Sequence, residues 1–127
     1  MYKAEITHKK DFIFSVKSGN VELAIDAKGK AGISPPDALL ASIGSCLGVY
    51  IRKYAEGSGL ALENFSINVE AEFIKETPMC FKVINVAVDL RNSALDERRK
   101  VALLEFIKNC PIHNTLKVNP QVEIKIS

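Results

Sequence analysis

The segment that most restricts the fold is ISPPDALLASIGSCLGVYIRKYAE, at positions 33–56. It predicts a long helix with a clear beginning, because Ser34 is a suitable N-cap and Pro35 suits the first helical position. Asp37 stands where the carboxylate of a capping box would be. The Gly-Ser-Gly at 57–59 is expected to end the helix.

The middle of this helix is rich in small residues. A glycine in a helix interior costs about 1 kcal/mol relative to alanine, so the two glycines there need a reason. Small side chains either let another backbone approach closely or leave room for a substrate beside the sulfur of Cys46, and both explanations stay open. The small residues near Cys46 are Ala41, Ser42, Gly44, Ser45 and Gly48.

Hydrophobic periodicity predicts the remaining elements. Apolar residues that alternate before position 27 predict a two- or three-stranded antiparallel meander. After the long helix we expect two long strands, a second helix with Ser93 as its N-cap, a short helical turn and a closing strand. In order, these later elements span 64–74, 81–90, 91–109, 110–117 and 121–126. No repeat or linker interrupts the sequence, so we expect an α+β fold in a single domain over 1–127.

The composition excludes several classes of protein. The chain has 127 residues, a net charge of +2 at pH 7, six phenylalanines, three tyrosines and no tryptophan. Because the basic residues are scattered among acidic ones, nucleic-acid binding is not expected. No uncharged apolar run reaches the roughly 18 residues that cross a bilayer, and the charged start does not resemble a signal peptide. We therefore expect no membrane association and a cytoplasmic location.

The three cysteines, Cys46, Cys80 and Cys110, are odd in number and include no CxxC pair. This pattern argues against the disulfide framework of a secreted protein. Cys110 precedes Pro111 at a predicted helix start, where the next two N–H groups would point toward its sulfur and stabilise a thiolate. Alternatively, Cys110 only caps the turn. Cys46 is interpreted as a buried small hydrophobe or a reactive thiol, and Cys80 as structural.

Two motifs, PPDALLASIGSCLG and a later NCPIHNTL, resemble the OsmC/Ohr family, and the likeness spans essentially the whole chain. In that family a long helix carries one cysteine, and a second cysteine begins a later short helix. The resemblance implies an intertwined homodimer and an antioxidant, stress-response thiol peroxidase that reduces organic hydroperoxides. It makes Cys46 the peroxidatic and Cys110 the resolving cysteine, with a dithiol reductant and no metal or organic cofactor. The small residues would then leave a narrow apolar slot for the alkyl chain of the substrate.

The chain departs from family members with demonstrated peroxidase activity at two positions. Those proteins use an N-terminal arginine, whereas the first arginine here is Arg52 and the earlier basic residues are lysines and His8. The glutamate that holds the arginine lies ten positions before the cysteine, where this chain has Pro36. Asp37 follows it, and at about 100° per residue it faces away from Cys46. Asp37 is therefore interpreted as a cap, with a supporting role at the site as the alternative.

Three functions remain as hypotheses. The first is the two-cysteine peroxidase, in which His113 is a candidate proton donor or, alternatively, a solvated helix residue. The second is a catalytically weak or inactive dimer that binds an apolar small molecule, which the missing arginine favours. The third is a metal site formed by Cys46, Cys110 and His113, which lacks a fourth ligand.

Overall fold

The computed structural model describes every residue of the chain except those at positions 92 and 94. The described residues form two units, 1–41 and 42–127. The elements, in chain order, are β1 (Glu5–Lys10), β2 (Ile13–Ser18), β3 (Val21–Asp26), α1 (Pro35–Ser58), β4 (Ser66–Ile74), β5 (Cys80–Asp89), α2 (Glu97–Ile107) and α3 (Pro111–Val118). The predicted α+β fold is confirmed.

The first unit contains the predicted antiparallel meander, with β2 between β1 and β3. In the β2–β3 pair, Phe14 lies opposite Ile25 and Ser18 lies opposite Val21. The turn that joins them contains Gly19, whose φ of 59° is a left-handed conformation that glycine adopts without steric cost. The turn chemistry of Ser-Gly-Asn thus produces the hairpin that the sequence predicted.

Asp26 organises the loop between β3 and α1. It is only 3% exposed. The carboxylate accepts the N–H groups of Lys28 at 2.9 Å, Lys30 at 3.3 Å and Ala31 at 2.9 Å. These bonds favour the ionised form, so the pKa of Asp26 lies below its ordinary value, with the N–H of Ala31 as the largest cause. The loop held by these hydrogen bonds leads directly to the start of α1.

Helix α1 begins and ends at the signals that the sequence carries. The Ser34 hydroxyl accepts the N–H of Asp37 at 3.3 Å and donates to the Asp37 carboxylate at 2.8 Å. At the other end, Gly59 has a φ of 66°, and the N–H of Leu60 donates to the carbonyl of Ala55 at 2.9 Å. The predicted beginning is confirmed, and the helix ends inside the predicted Gly-Ser-Gly segment, at Ser58.

The second unit has a core built on one side of α1. Four buried residues of the helix recur at intervals of about one turn, so they form one continuous stripe. Residues from α2 and from the segment after α1 cover this stripe. The buried apolar residues of this core, apart from Cys110, are Ile43, Leu47, Ile51, Ala55, Leu62, Leu103 and Ile107.

Strands β4 and β5 pair in antiparallel fashion in the second unit, with Ile67 opposite Val88 and Val69 opposite Val86. Their bounds agree with the predicted strands at 64–74 and 81–90 to within two residues at each end. The pair lies against α1, as the glycines of that helix show.

Of the two interior glycines near Cys46, Gly44 is the one that allows β4 to approach α1 closely. A Cβ atom added at Gly44 would lie 3.0 Å from Cγ2 of Val69, a distance that forces a neighbour to move. A Cβ atom added at Gly48 would lie 3.4 Å from Cδ1 of Ile67, which is ordinary contact. Close packing of a strand therefore explains Gly44, the first of the two explanations that the sequence left open.

The predicted start of the second helix is wrong. Its N-cap is Asp96, whose carboxylate accepts the N–H of Arg99 at 2.8 Å, and the helix begins at Glu97. Ser93, the predicted cap, instead donates its hydroxyl to the carbonyl of Leu90 at 3.1 Å. The predicted span of 91–109 also includes positions 92 and 94, which lie outside the described residues.

The predicted closing strand is also not found. Residues 119–127 form no helix or strand in the structure, although Val122, Ile124 and Ile126 alternate with polar residues as a strand would. Alternation alone does not make a strand, because the backbone also needs an edge to pair with. Among the described residues, no helix has the length and apolar character needed to span a bilayer.

Candidate active site

Cys46 and Cys110 lie in the second unit on different elements. Cys46 is half-buried on α1, about three turns from the start of that helix. Cys110 is completely buried and is the residue just before α3. The core stripe of α1 and the buried end of α2 fix these two positions, since Leu47 and Ile107 belong to the same core.

The fold brings these two cysteines together, although 64 positions (110 − 46) separate them in the sequence. The thiol of Cys110 lies close enough to the thiol of Cys46 to raise its pKa. Both cysteines are free thiols, so their interaction is noncovalent. A disulfide would require the sulfurs to close to about 2.0 Å.

The N-terminus of α3 acts on Cys46. The sequence predicted that the free N–H groups at this helix start would point toward the sulfur of Cys110. Instead, the N–H of Ile112 interacts with the sulfur of Cys46, and the Cys110 side chain makes no capping hydrogen bond. The Cys110 carbonyl accepts the N–H of Asn114 at 3.0 Å, as expected of an N-cap residue. The helix start therefore favours negative charge on the other cysteine.

Opposing influences set the acidity of Cys46. Burial raises the pKa of the Cys46 thiol, and the neighbouring Cys110 thiol raises it further. The N–H of Ile112 and the positive charge of Lys53 lower that pKa, but the net direction is upward. In the isolated chain, Cys46 is therefore held mainly as a thiol at neutral pH.

The two predicted supporting residues have other contacts. The Nδ1 atom of His113 lies 3.1 Å from the carbonyl oxygen of Lys108, so Nδ1 carries the proton in this interaction. Asp37 is exposed and bonded to Ser34 at the start of α1. Its carboxylate is used by the cap.

Cys80 occupies the first position of β5, where it lies opposite Ile74 of β4. It is half-buried, and the third cysteine thus belongs to the sheet. Within the described part of the chain, no three histidine, cysteine or acidic side chains are grouped so that they could hold a metal ion.

An apolar cavity of about 470 Å³ lies beside the same core. Its wall comes from α1, the end of β5 and α2, with the charged side chains of Asp89, Arg91 and Lys100 among its lining. The aliphatic residues that line it are Ile51, Val86, Val88, Leu90, Leu103, Leu104 and Ile107. A volume of this size falls within the range of small-molecule sites.

Sequence reasoning missed Lys53 as a neighbour of the cysteine. Lys53 lies seven positions after Cys46 on α1, and Tyr50 lies four positions after it. Positions i, i+4 and i+7 share one side of a helix, so this spacing was the available signal. A single lysine in a helix is usually solvated, so the residue type alone does not indicate a role at the site.

The family model described as OsmC-like protein matches residues 27–125. A comparison with curated proteins gave no match. An OsmC-like protein from Mycoplasma pneumoniae has a similar structure, with a TM-score of 0.83 and 22% identity over 92% of this chain and 87% of that chain. At 22% identity, the structural similarity shows a shared fold and nothing more.

Two structures of proteins named for organic hydroperoxide resistance also have this fold. OsmC from Legionella pneumophila has a TM-score of 0.64 and 20% identity, covering 94% of this chain and 90% of that chain. OhrB of Bacillus subtilis has a TM-score of 0.61 and 20% identity, covering 92% of each chain.

Proposed function

Because the chain belongs to the family of OsmC-like proteins, we propose that it is a two-cysteine thiol peroxidase that reduces organic hydroperoxides. The observation that carries the proposal is the pairing of a half-buried thiol, Cys46, with a buried thiol, Cys110, beside a helix N-terminus. Neighbours of the same fold are named for organic hydroperoxide resistance, which supports this choice of substrate.

In the first step, the thiolate of Cys46 attacks the terminal oxygen of the hydroperoxide. The O–O bond breaks, and the alkoxide takes a proton and leaves as an alcohol. Cys46 becomes a sulfenic acid. The N–H of Ile112 favours the thiolate that makes this attack, because it interacts with the Cys46 sulfur.

In the second step, the sulfur of Cys110 attacks the sulfur of Cys46. The S–O bond breaks, and the hydroxide leaves as water with the proton of Cys110. Two electrons have passed from the dithiol to the peroxide, and a Cys46–Cys110 disulfide remains. A dithiol reductant then restores both thiols, which suits the reducing conditions of a cytoplasm.

The functional unit in this proposal is a homodimer. Each unit of the chain leaves large apolar side chains exposed, such as Phe12 at 57% in the first unit and Ile124 at 82% in the second. Exposed apolar surface of this kind typically marks a protein interface. A second copy of the chain is the partner that the family resemblance implies.

The test is anaerobic treatment with one equivalent of cumene hydroperoxide, followed by measurement of cumyl alcohol and of free thiols in denaturant. The wild-type chain should form one alcohol per chain and lose two of its three thiols. Cys46→Ser should form no alcohol and keep both remaining thiols. Cys80→Ser is the matched control, and it should form the alcohol and lose both of its thiols. Wild-type protein that keeps all three thiols would refute the proposal.

A second candidate function is the binding of an apolar small molecule, which the cavity of about 470 Å³ favours. Leu104→Trp should fill this cavity and weaken binding of the fluorescent probe anilinonaphthalene sulfonate. Val101→Trp is the control, since Val101 is on the same helix and similarly exposed but is not among the residues that line the cavity. Equal probe binding by the two variants would argue against this function.

A further inference from the structure

We propose that Lys53 is a positioning residue for the reaction at Cys46: its ammonium group, held over the ring of Tyr50, supplies the positive charge that favours the attacking thiolate. This inference rests on the proposed peroxidase function. It assigns a role to a residue that the sequence did not mark.

Helix geometry places the three side chains in a row. Tyr50 follows Cys46 by about one turn, and Lys53 follows it by about two turns. At about 100° per residue, a residue seven positions on returns to within about 20° of the starting direction. Helical side chains incline toward the N-terminus of their helix, so Lys53 reaches back over Tyr50 and in the direction of Cys46.

The ring of Tyr50 holds the ammonium group on this path. Nζ of Lys53 lies 4.6 Å from the centre of the Tyr50 ring, within the distance of a cation–π interaction. The ring is itself supported by Phe106 of α2, with 6.0 Å between the ring centres. Lys53 is exposed, so its ammonium group stays in contact with water.

The neighbouring charges leave Lys53 as the available cation. Arg52 is engaged, because one nitrogen of its side chain donates to the Leu62 carbonyl at 2.9 Å and another lies 3.6 Å from Glu56. Among the described residues, no carboxylate lies within ion-pair distance of Lys53. The charge of Lys53 also acts on the acidity of Cys46, and it lowers the pKa of that thiol.

The test measures the rate of Cys46 alkylation by iodoacetamide against pH, with mass spectrometry to distinguish the three cysteines. Lys53→Met should reduce the rate at pH 8 by about twofold to fivefold and move the rise in rate to higher pH, as expected for an exposed charge. Lys53→Arg should stay close to the wild type. Because exposed charges are screened by salt, the difference between Lys53→Met and the wild type should shrink in 1 M KCl.

Lys75→Met is the matched control, since Lys75 is also exposed but lies in the loop between β4 and β5. It should follow the wild-type curve. Identical curves for Lys53→Met and the wild type, with unchanged thermal unfolding, would overturn the inference and leave the peroxidase proposal intact. A shifted curve in a chain that forms no cumyl alcohol would support the role of Lys53 and refute the peroxidase proposal.

Discussion

The half-buried sulfur of Cys46 has neighbours that act on it in opposite directions. Burial and the thiol of Cys110 raise its pKa, whereas the N–H of Ile112 and the charge of Lys53 lower it. A thiol with a raised pKa attacks slowly at neutral pH, because the thiolate is the nucleophile. The same neighbours suit the later stages of the reaction, since the buried Cys110 is already beside the sulfur that it must attack.

We therefore predict that oxidation of Cys46 by cumene hydroperoxide accelerates with pH. Since the pKa is raised, the thiol predominates across neutral pH, and the rate should grow by about tenfold per pH unit until the thiolate predominates. Stopped-flow or quenched measurements from pH 6 to 10 would show this slope. A rate that is constant between pH 6 and 8 would mean that the thiolate already predominates, contrary to this account.

At the scale of elements, local signals decided how well each helix could be predicted. The start of α1 was predictable because Ser34 and Asp37 satisfy each other within one turn. The start of α2 was not, because Ser93 and Asp96 are both good caps and the carbonyl of Leu90 binds the serine. Alternation alone could not decide whether residues 121–126 form a strand, since a strand also needs the edge of another strand to pair with.

The cap of α2 gives one prediction at this scale. Asp96→Ala should reduce the free energy of unfolding by about 1 kcal/mol, because the N–H of Arg99 loses its acceptor. Chemical denaturation at pH 7 would measure the change. Ser93→Ala serves as the comparison and should cost less than Asp96→Ala, and the reverse order would contradict the assignment of the cap.

The contact between α1 and β4 gives a second prediction at the scale of elements. Gly44→Leu should cost about 1–3 kcal/mol, because even a Cβ there lies 3.0 Å from Val69. Gly57 of the same helix has open space around it, so Gly57→Leu should be neutral or stabilising by up to about 1 kcal/mol. Denaturation midpoints of the two variants test this, and equal stabilities would show that the close approach has no energetic consequence.

For the whole molecule, the chain alone leaves apolar side chains in contact with solvent. Val122, Ile124 and Ile126 are 77%, 82% and 95% exposed, and Val49 of α1 is 51% exposed. The three exposed residues at 122, 124 and 126 are the alternating apolar residues of the predicted closing strand, which the structure does not contain. In the proposed homodimer, these side chains would be covered by the second chain.

The homodimer is tested by sedimentation. The wild-type chain should sediment with about twice its mass of 14.0 kDa. Val49→Glu should shift it toward the monomer, because a charge would replace an exposed apolar residue on the long helix. Val101→Glu, which changes a similarly exposed valine on α2, is the control. A wild-type monomer at micromolar concentration would contradict the proposed assembly.

The candidate site was predictable only in part. Spacing does not place residues 46 and 110 together; the family resemblance did, and the fold supplies the contact through the shared core of α1 and α2. The positions of Lys53 and of the Ile112 N–H depend on side-chain direction and on the docking of α3. Neither position can be predicted from the type of a single residue.

The central claim is that Cys46 and Cys110 form a redox pair, and peptide mapping after oxidation tests it most directly. The protein is treated with one equivalent of cumene hydroperoxide, free thiols are blocked, and the digest is analysed without reduction. We predict one peptide pair from a single chain, linked through Cys46 and Cys110, with Cys80 recovered as the blocked thiol. Recovery of Cys46 and Cys110 as blocked thiols, or a disulfide that contains Cys80, would contradict the claim.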